Sequence, residues 1–302
     1  MKKNTIFISI ASYRDPLCSD TIKSIYDNAK FPNNIFLGIC QQNKPGDLDC
    51  LHNLDDFPYK SNIRITELSY KLAKGPTYAR FLCSKLWNNE HYFLQIDSHT
   101  KFSKNWDIKC IFAIDTLKKN NISQKPVLSH YPRNYNDVYT ISDNEKFIVT
   151  YIKNFSTISH GVIKFNGAHY INTNNSFIKT PFVTGCFLFL ESSFLNEIPF
   201  DPNLDYLYTG EEILHSLRFF TFGYDVFIPN QNIVFHNYIR NEQPKLWDDI
   251  DNYNHLKNTI LIKVANVFKS NNNNDANLIL GNYGLGNIKS ISEFNNIIQS
   301  YR

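Results

Sequence analysis

A short apolar segment is followed at once by three polar residues in Tyr92-Phe93-Leu94-Gln95-Ile96-Asp97-Ser98-His99. The apolar part predicts a buried strand, and the polar residues then lie at its carboxyl end. Positions i and i+2 of an extended segment point to the same side, so Asp97 and His99 are expected to face one way. A carboxylate beside an imidazole suits Mn²⁺ or a similar divalent cation. A capping Asp and a surface His would give the same triplet, and the position at a strand end leaves this interpretation and the metal site open side by side.

The segments around this strand alternate between predicted strands and helices. Strands are predicted at residues 5–11, 35–40 and 63–70, and helices at residues 17–29, 75–87 and 106–117. This order is typical of an α/β protein with a central, mostly parallel sheet flanked by helices. Ligands bind such sheets at the carboxyl ends of the strands. The loop Ser12-Tyr13-Arg14-Asp15-Pro16 and the Asp97 loop are both expected at that edge.

The second half of the chain adds further elements to the same sheet. Strands are predicted at residues 127–129, 182–190, 226–229 and 233–235, and a helix at 211–222. Residues 133–180 are polar and irregular. We predict one domain over residues 1–268. Residues 269–302 are predicted to begin with an Asn-rich spacer and to form a C-terminal segment that packs on the same domain.

Composition and charge exclude several classes of protein. Lys and Arg number 31 against 28 Asp and Glu, and a net charge of +3 argues against a dedicated nucleic-acid binder. No stretch approaches the roughly 20 apolar residues that span a bilayer, so no membrane span is predicted. The six cysteines form no Cys-x-x-Cys pair, and the N-terminus has only a short, interrupted apolar part. A cytoplasmic protein with reduced thiols is therefore predicted.

Other polar residues follow predicted strands or open predicted helices. His236 follows the strand at 233–235 and is the natural candidate for a third metal ligand, although a satisfied structural histidine is also compatible with this position. Arg240 could bind a phosphate through its planar guanidinium. Glu211 and Glu212 open a helix, where the helix dipole favours acidic residues. A carboxylate there could also bind sugar hydroxyls or accept a proton.

Several blocks of the sequence occur in the same order in one known family. They include Ile8-Ser9-Ile10-Ala11-Ser12-Tyr13-Arg14-Asp15, Gly75-Pro76 with Ala79-Arg80, Leu94 to His99, Gly210-Glu211-Glu212, His236 with Arg240, and Tyr283-Gly284-Leu285-Gly286. The chain resembles the cytoplasmic polypeptide N-acetylglucosaminyltransferases of amoebae and protists. Those enzymes attach GlcNAc to hydroxyproline of a ubiquitin-ligase adaptor. The resemblance spans nearly the whole chain.

This resemblance implies both a fold and a chemistry. The implied fold is the GT-A fold of nucleotide-diphospho-sugar transferases. The implied activity is transfer of a sugar, GlcNAc from UDP-GlcNAc above all, to a hydroxyl of a protein acceptor such as hydroxyproline, Ser or Thr. A divalent cation such as Mn²⁺ and retention of the anomeric configuration are implied as well.

The resemblance also implies roles for individual residues. Asp97, His99 and His236 would hold the metal at the diphosphate, and Glu211 or Glu212 would lie at the junction of sugar and acceptor. Ala11, Ser12, Tyr13 and Arg14 would line the uridine pocket, with Arg80 beside it. The full set predicted to bind the donor is Ala11, Ser12, Tyr13, Arg14, Arg80, Asp97, Ser98 and Arg240. Residues 133–180 match no part of the family pattern, and the acceptor is the least defined partner.

Two alternatives remain open at this point. One is an inverting glycosyltransferase that acts on a glycan with Glu211 or Glu212 as the base. The other is a non-catalytic UDP-sugar-binding protein. A metal hydrolase is disfavoured because the candidate ligands lack the His-Glu-x-x-His spacing of a helical zinc site.

Overall fold

The structure is a computed structural model, and it describes residues 2–142, 145–241 and 243–301. The strands are β1 (Lys2–Tyr13), β2 (Ile35–Asn43), β3 (Ile63–Ser69), β4 (Glu90–Asp97), β5 (Thr100–Phe102), β6 (Pro126–Ser129), β7 (Arg133–Asn134), β8 (Ile148–Tyr151), β9 (Phe155–Thr157), β10 (Ile163–Phe165), β11 (His169–Asn172), β12 (Ile178–Thr180), β13 (Phe187–Glu191), β14 (Asp225–Ile228) and β15 (Val234–His236). The helices are α1 (Cys18–Asn28), α2 (Pro76–Ser84), α3 (Trp106–Lys119), α4 (Glu211–Thr221), α5 (Leu246–Asp249), α6 (Tyr253–Phe268), α7 (Asn273–Leu280) and α8 (Ile291–Ser300).

An eight-stranded sheet with the order β12-β14-β6-β13-β4-β1-β2-β3 forms the centre of the protein. Strand β1 pairs in parallel with β2 on one side and with β4 on the other, and β13 runs antiparallel to β4. Strands β2 and β3 are added on one side of β1, and β4 is added on its other side. The order in which strands are added to the sheet therefore reverses between β1 and β4. Ala11 at the end of β1 lies opposite Asp97 at the end of β4. Such a switch point is where ligands bind in open α/β sheets.

Strand β1 is buried on both faces, which explains its nearly continuous apolar sequence. Its Ile8 and Ile10 join one cluster with Ile22 of α1 and Trp106 of α3. Phe7 points to the opposite face and packs in a second cluster that contains Phe93. Because helices cover both faces, the two strand ends that carry polar residues are fixed by a dense core. The predicted α/β fold with a central, mostly parallel sheet is confirmed.

Three short strands form a second sheet in the order β5-β15-β7. Strand β5 begins three residues after Asp97, and β15 pairs with it in antiparallel register, with His236 opposite Thr100. The backbone N–H of Asn237 donates to the carbonyl of His99 at 3.1 Å. This pairing brings His236 to the loop of Asp97 and His99, from a position more than 130 residues later in the chain.

The C-terminal helices pack against α4 rather than extending away from the domain. Phe294 of α8 and Leu280 of α7 are buried in one cluster with Leu214 and Leu217 of α4 and with Leu261 of α6. The Asn-rich stretch expected to be a spacer instead begins α7, because the side chain of its N-cap residue accepts a hydrogen bond from the first turn. No helix in the described part of the chain combines the length and hydropathy needed to cross a bilayer.

Candidate active site

A cavity of about 750 Å³ opens at the carboxyl ends of the central strands. Its floor is formed by the ends of β1, β2 and β4, and its walls by the first turns of α2 and α4. Residues 236–238, 240–241 and 244–247 also line it, as do residues 131–134, 163–165, 167, 168 and 170. The cavity therefore lies at the switch point of the sheet and combines polar with apolar lining residues.

Asp97, His99 and His236 line the cavity and come together there. One potential ligand atom from each residue can be chosen so that all three atoms lie within 4.8 Å of one another. His236 Nε2 is 2.9 Å from Asp97 Oδ2, and the two imidazole rings are 4.7 Å apart between centroids. Burial alone would raise the pKa of Asp97, but the hydrogen bond to His236 and the charge of Arg80 together hold it well below its usual range. The three residues therefore offer an ionised carboxylate oxygen and imidazole nitrogens as possible metal ligands.

Asp15, which follows β1, is tied to this cluster. Its Oδ2 lies 2.7 Å from Nδ1 of His99 and 2.6 Å from the hydroxyl of Ser98. Burial would raise the pKa of Asp15, but the hydrogen bonds from His99 and Ser98, together with the nearby charge of Arg240, lower it to about 2. Burial also lowers the pKa of His99, which favours a neutral ring. An ionised carboxylate only accepts hydrogen bonds, so Nδ1 of His99 carries the proton.

Arg80 joins the metal-ligand candidate Asp97 to the helix α4. Its Nη2 lies 3.2 Å from Asp97 Oδ1, and its Nη1 donates to Glu211. The same guanidinium donates to the carbonyl of Gly185 at 3.0 Å. A Cβ at position 185 would lie only 3.1 Å from Nη2, so a glycine there permits the close approach. Arg80 is thus fixed between two carboxylates and does not lie free in the cavity.

Glu212 has a different environment from that of its neighbour Glu211. Its Oε2 accepts a hydrogen bond from the hydroxyl of Tyr131 at 2.5 Å, and its Oε1 accepts one from the backbone N–H of Gly185 at 2.8 Å. Burial raises the pKa of Glu212 to about 7 despite these hydrogen bonds. Glu212 can therefore exchange a proton near neutral pH, whereas Glu211 is held in an ion pair with Arg80.

The backbone before α4 sets the direction of both carboxylates. Gly210 has a φ of +103°, a conformation that favours glycine, and a Cβ there would lie 2.9 Å from Val162 Cγ1. This turn places Glu211 and Glu212 in the first turn of α4, where the helix dipole favours negative charge. The sharp turn therefore directs a first turn of acidic residues into the cavity.

The four residues expected in the uridine pocket have different positions. Ala11 and Tyr13 line the cavity. Ser12 is fully buried beneath it. Arg14 lies outside the set of lining residues, and its guanidinium pairs with Asp47 and Asp249, at 2.8 Å each.

Of the remaining residues expected in the donor site, Ser98 and Arg240 both line the cavity. The hydroxyl of Ser98 already donates to Asp15, as described above, and Arg240 Nη2 is 3.4 Å from the same Asp15 oxygen. Both side chains are therefore positioned by one buried carboxylate.

No sequence pattern identifies several of the residues that line the cavity. Gln42 lies opposite Tyr13 in the register of β1 and β2, and its Nε2 donates to the carbonyl of Ser12 at 3.1 Å. Tyr208, Tyr238 and Trp247 line the cavity with partly exposed rings. An aromatic residue in a loop has no periodicity that would set it apart from the many others in this chain. The apolar and basic residues at 163–170 likewise reach the cavity only through the small β9–β10 and β8–β11 sheets.

The sequence and the fold were compared with known proteins. The sequence model of a family described as Glycosyltransferase (GlcNAc) matches residues 5–58 and 54–300. No significant match is found among curated protein sequences. The structure of GalNAc-T7 with UDP, GalNAc and Mn²⁺ is similar, with a TM-score of 0.60, 14% identity, and coverage of 98% of this chain and 55% of that one. This chain thus spans about half the length of that protein.

Two further solved structures share the fold. S. aureus TarS 1-349 in complex with UDP-GlcNAc gives a TM-score of 0.53 at 12% identity, covering 92% of this chain and 71% of that one. A mannosyltransferase from Pyrobaculum calidifontis with GDP-Man and Mn²⁺ gives a TM-score of 0.50 at 11% identity, covering 79% of this chain and 58% of that one. At identities this low, the structural likeness shows a shared fold, which is GT-A. The family match extends over nearly all of the sequence. The chain belongs to the family described as Glycosyltransferase (GlcNAc).

Proposed function

We propose that this protein transfers GlcNAc from UDP-GlcNAc to a hydroxyl of a protein acceptor, with retention of configuration and with a divalent cation such as Mn²⁺. The observation that carries this proposal is the convergence of Asp97, His99 and His236 in a cavity at the switch point of the sheet. The family description supports GlcNAc as the sugar. Six free, buried cysteines support the expected cytoplasmic setting.

The donor set fits a divalent cation. One carboxylate oxygen and two imidazole nitrogens suit Mn²⁺, and three protein ligands leave positions for oxygens of a substrate. Asp97, His99 and His236 would hold the ion. When bound, it would neutralise charge on the diphosphate as that group departs.

The chain's own residues supply the rest of the donor site. We assign the nucleoside to the end of the cavity formed by Ala11, Tyr13 and the first turn of α2. Strands β1 and β4 are neighbours, so this end lies about 5 Å from the strand that carries Asp97. Arg240 and Lys245 line the wall beside His236 and offer positive charge to the phosphates. Arg80 acts by holding Asp97 and Glu211 in place.

We assign the acceptor to the opposite end of the cavity. There Tyr131, Glu212 and the segment 163–170 form the wall. Glu211 is joined to the candidate ligand Asp97 through Arg80, and its neighbour Glu212 contacts Tyr131. This arrangement supports placing the junction of sugar and acceptor at these two residues. Neither is proposed as a covalent nucleophile. Glu212 is proposed to bind and orient an acceptor hydroxyl, because its carboxylate is not neutralised by an arginine.

A second candidate function uses Glu212 more directly. In an inverting transfer a carboxylate would take the proton of the attacking hydroxyl, and a group with a pKa of about 7 suits that role near neutral pH. Glu211 is less suited because its oxygen is paired with Arg80. The stereochemistry of the product separates the two candidates.

The test is release of UDP from a panel of UDP-sugars, each with Mn²⁺ and with EDTA. We expect slow hydrolysis of UDP-GlcNAc that is lost in EDTA and in Asp97→Ala. Asp56→Ala, which changes an exposed carboxylate in a polar loop, is the control and should keep the activity. NMR recorded at the start of the reaction should show that the released sugar is the α anomer. Turnover that persists in EDTA would refute the metal-dependent proposal, and the β anomer would favour the inverting candidate.

A further inference from the structure

Asp15 is a buried carboxylate with no place in the proposed donor or acceptor contacts. Its side chain is fully buried, and it sits in the loop between β1 and α1. One of its oxygens, Oδ1, accepts the backbone N–H of Leu17 at 3.1 Å, which is an ordinary role at the start of a helix. The other, Oδ2, faces the metal-ligand candidates. A purely structural turn would need only the first oxygen.

Three donors from two other segments converge on Asp15 Oδ2. They are Nδ1 of His99 at 2.7 Å, the hydroxyl of Ser98 at 2.6 Å and Nη2 of Arg240 at 3.4 Å. His99 belongs to the candidate metal cluster, and Arg240 to the wall proposed to bind phosphate. The loop after β1 is therefore connected to both parts of the site through one atom.

The hydrogen bond with His99 determines which ring nitrogen is available. A histidine whose Nδ1–H is donated to a carboxylate presents the lone pair of Nε2, the form that binds a metal. Carboxylate partners of this kind fix the orientation of metal-bound histidines and raise their basicity. We propose that Asp15 is a positioning residue, which holds His99 with Nε2 free for the divalent cation and holds Arg240 beside it.

This proposal rests on the proposed metal site, and the test separates the two. Mn²⁺ binding is measured by EPR with wild-type protein and with Asp15→Asn, in the presence of UDP. An asparagine retains an oxygen for Leu17 but places an amide NH₂ where Oδ2 was. That group cannot accept from His99 and favours the opposite tautomer. We expect Mn²⁺ affinity to fall by about 10- to 100-fold, the usual effect of losing such a partner.

Asp201→Asn is the matched control. Asp201 is likewise buried, and its Oδ1 accepts the backbone N–H two residues later, at Asn203, but it lies outside the cavity. It should bind Mn²⁺ as the wild type does. Equal affinity of Asp15→Asn and wild type would overturn the role of Asp15 while leaving the metal site intact. Absence of Mn²⁺ binding by wild-type protein would instead refute the metal site itself.

A second measurement does not depend on the folding of a variant. The ¹⁵N chemical shifts of the His99 ring in metal-free wild-type protein, assigned with His99→Gln, report the tautomer. We expect Nδ1 to be protonated and Nε2 to be unprotonated. The opposite assignment would overturn the proposal. A merely structural Asp15 that accepts only from Leu17 would leave the tautomer unconstrained.

Discussion

Arg80 and Glu211 form an ion pair in which the side chains are only 5% and 4% exposed. The two residues are 131 positions apart in the chain and join the middle of α2 to the first turn of α4. Burial would lower the pKa of Arg80, but the charges of Glu211 and Asp97 raise it above its ordinary value. The guanidinium therefore stays charged inside the protein, and it depends on these carboxylates for compensation.

The first prediction concerns this pair. Arg80→Met leaves the carboxylate of Glu211 buried without a counter-charge, and removal of one partner of a buried pair typically costs about 3–5 kcal/mol of unfolding free energy. We expect a loss of that size in urea denaturation. The double variant Arg80→Met with Glu211→Leu removes both charges and should recover much of the loss.

Lys74→Met is the matched comparison for the Arg80 variant. Lys74 pairs with Asp205 at 3.0 Å, but both side chains are substantially exposed, at 42% and 37%. Surface pairs of this kind contribute about 0–1 kcal/mol, so little change is expected. Similar losses for Lys74→Met and Arg80→Met would contradict the interpretation that burial makes the Arg80 pair important.

The sequence permits prediction of those features that depend on local order. Asp97 and His99 are two residues apart at the end of an apolar strand, so their common direction follows from strand geometry. The strand–helix alternation likewise predicts the central sheet. His236 is predicted as a ligand because it follows an apolar segment, but its approach depends on the antiparallel pairing of β15 with β5. Sequence spacing contains no trace of that pairing.

Contacts between distant segments could not be predicted in this way. Tyr131 and Glu212 meet across 81 positions, and Asp15 meets His99 across 84. Each pair depends on the packed arrangement of whole elements, and neither residue type is unusual in its own segment. Helix α6 is a different case. Its Ile260, Leu261 and Val264 have helical spacing and are buried. This local pattern indicates a helix, although none is among the predicted elements.

The second prediction concerns the pH dependence of stability. The pKa of Glu212 is about 7 in the folded protein, whereas the ordinary pKa of a glutamate is 4.5. Between these pH values the folded state holds a proton that the unfolded state has released, so stability falls as pH rises from about 4.5 to about 7. Glu212→Gln removes this contribution. The variant should gain about 3 kcal/mol relative to wild type across that range, at about 1.4 kcal/mol per pKa unit.

The measurement is urea unfolding of wild type and Glu212→Gln at several pH values from 4.5 to 8. The difference between the two proteins isolates Glu212 from other groups such as His130, whose pKa is lowered to about 4 by burial. Glu67→Gln, at an exposed carboxylate on β3, is the control and should show a difference that stays small. A difference between Glu212→Gln and wild type that does not change with pH would contradict the raised pKa.

The third prediction concerns residues 269–301, which we propose are part of the same folding unit as the catalytic domain. Phe294 is fully buried, with its ring 5.4 Å from that of Phe220 on α4 and 6.4 Å from that of Phe268 on α6. Phe294→Ala removes this large side chain from the core. A loss of about 3–5 kcal/mol in unfolding free energy is expected, with one cooperative transition.

Leu278→Ala provides the contrast within the same segment. Leu278 lies on α7 and is 87% exposed, so its truncation should change the unfolding free energy by about 0.5 kcal/mol or less. If the C-terminal segment unfolded independently, Phe294→Ala would produce a separate early transition and leave the main one unchanged. A single transition shifted as a whole would show that α8 supports α4. The first turn of α4, with Glu211 and Glu212, would then depend for its position on the last helix of the chain.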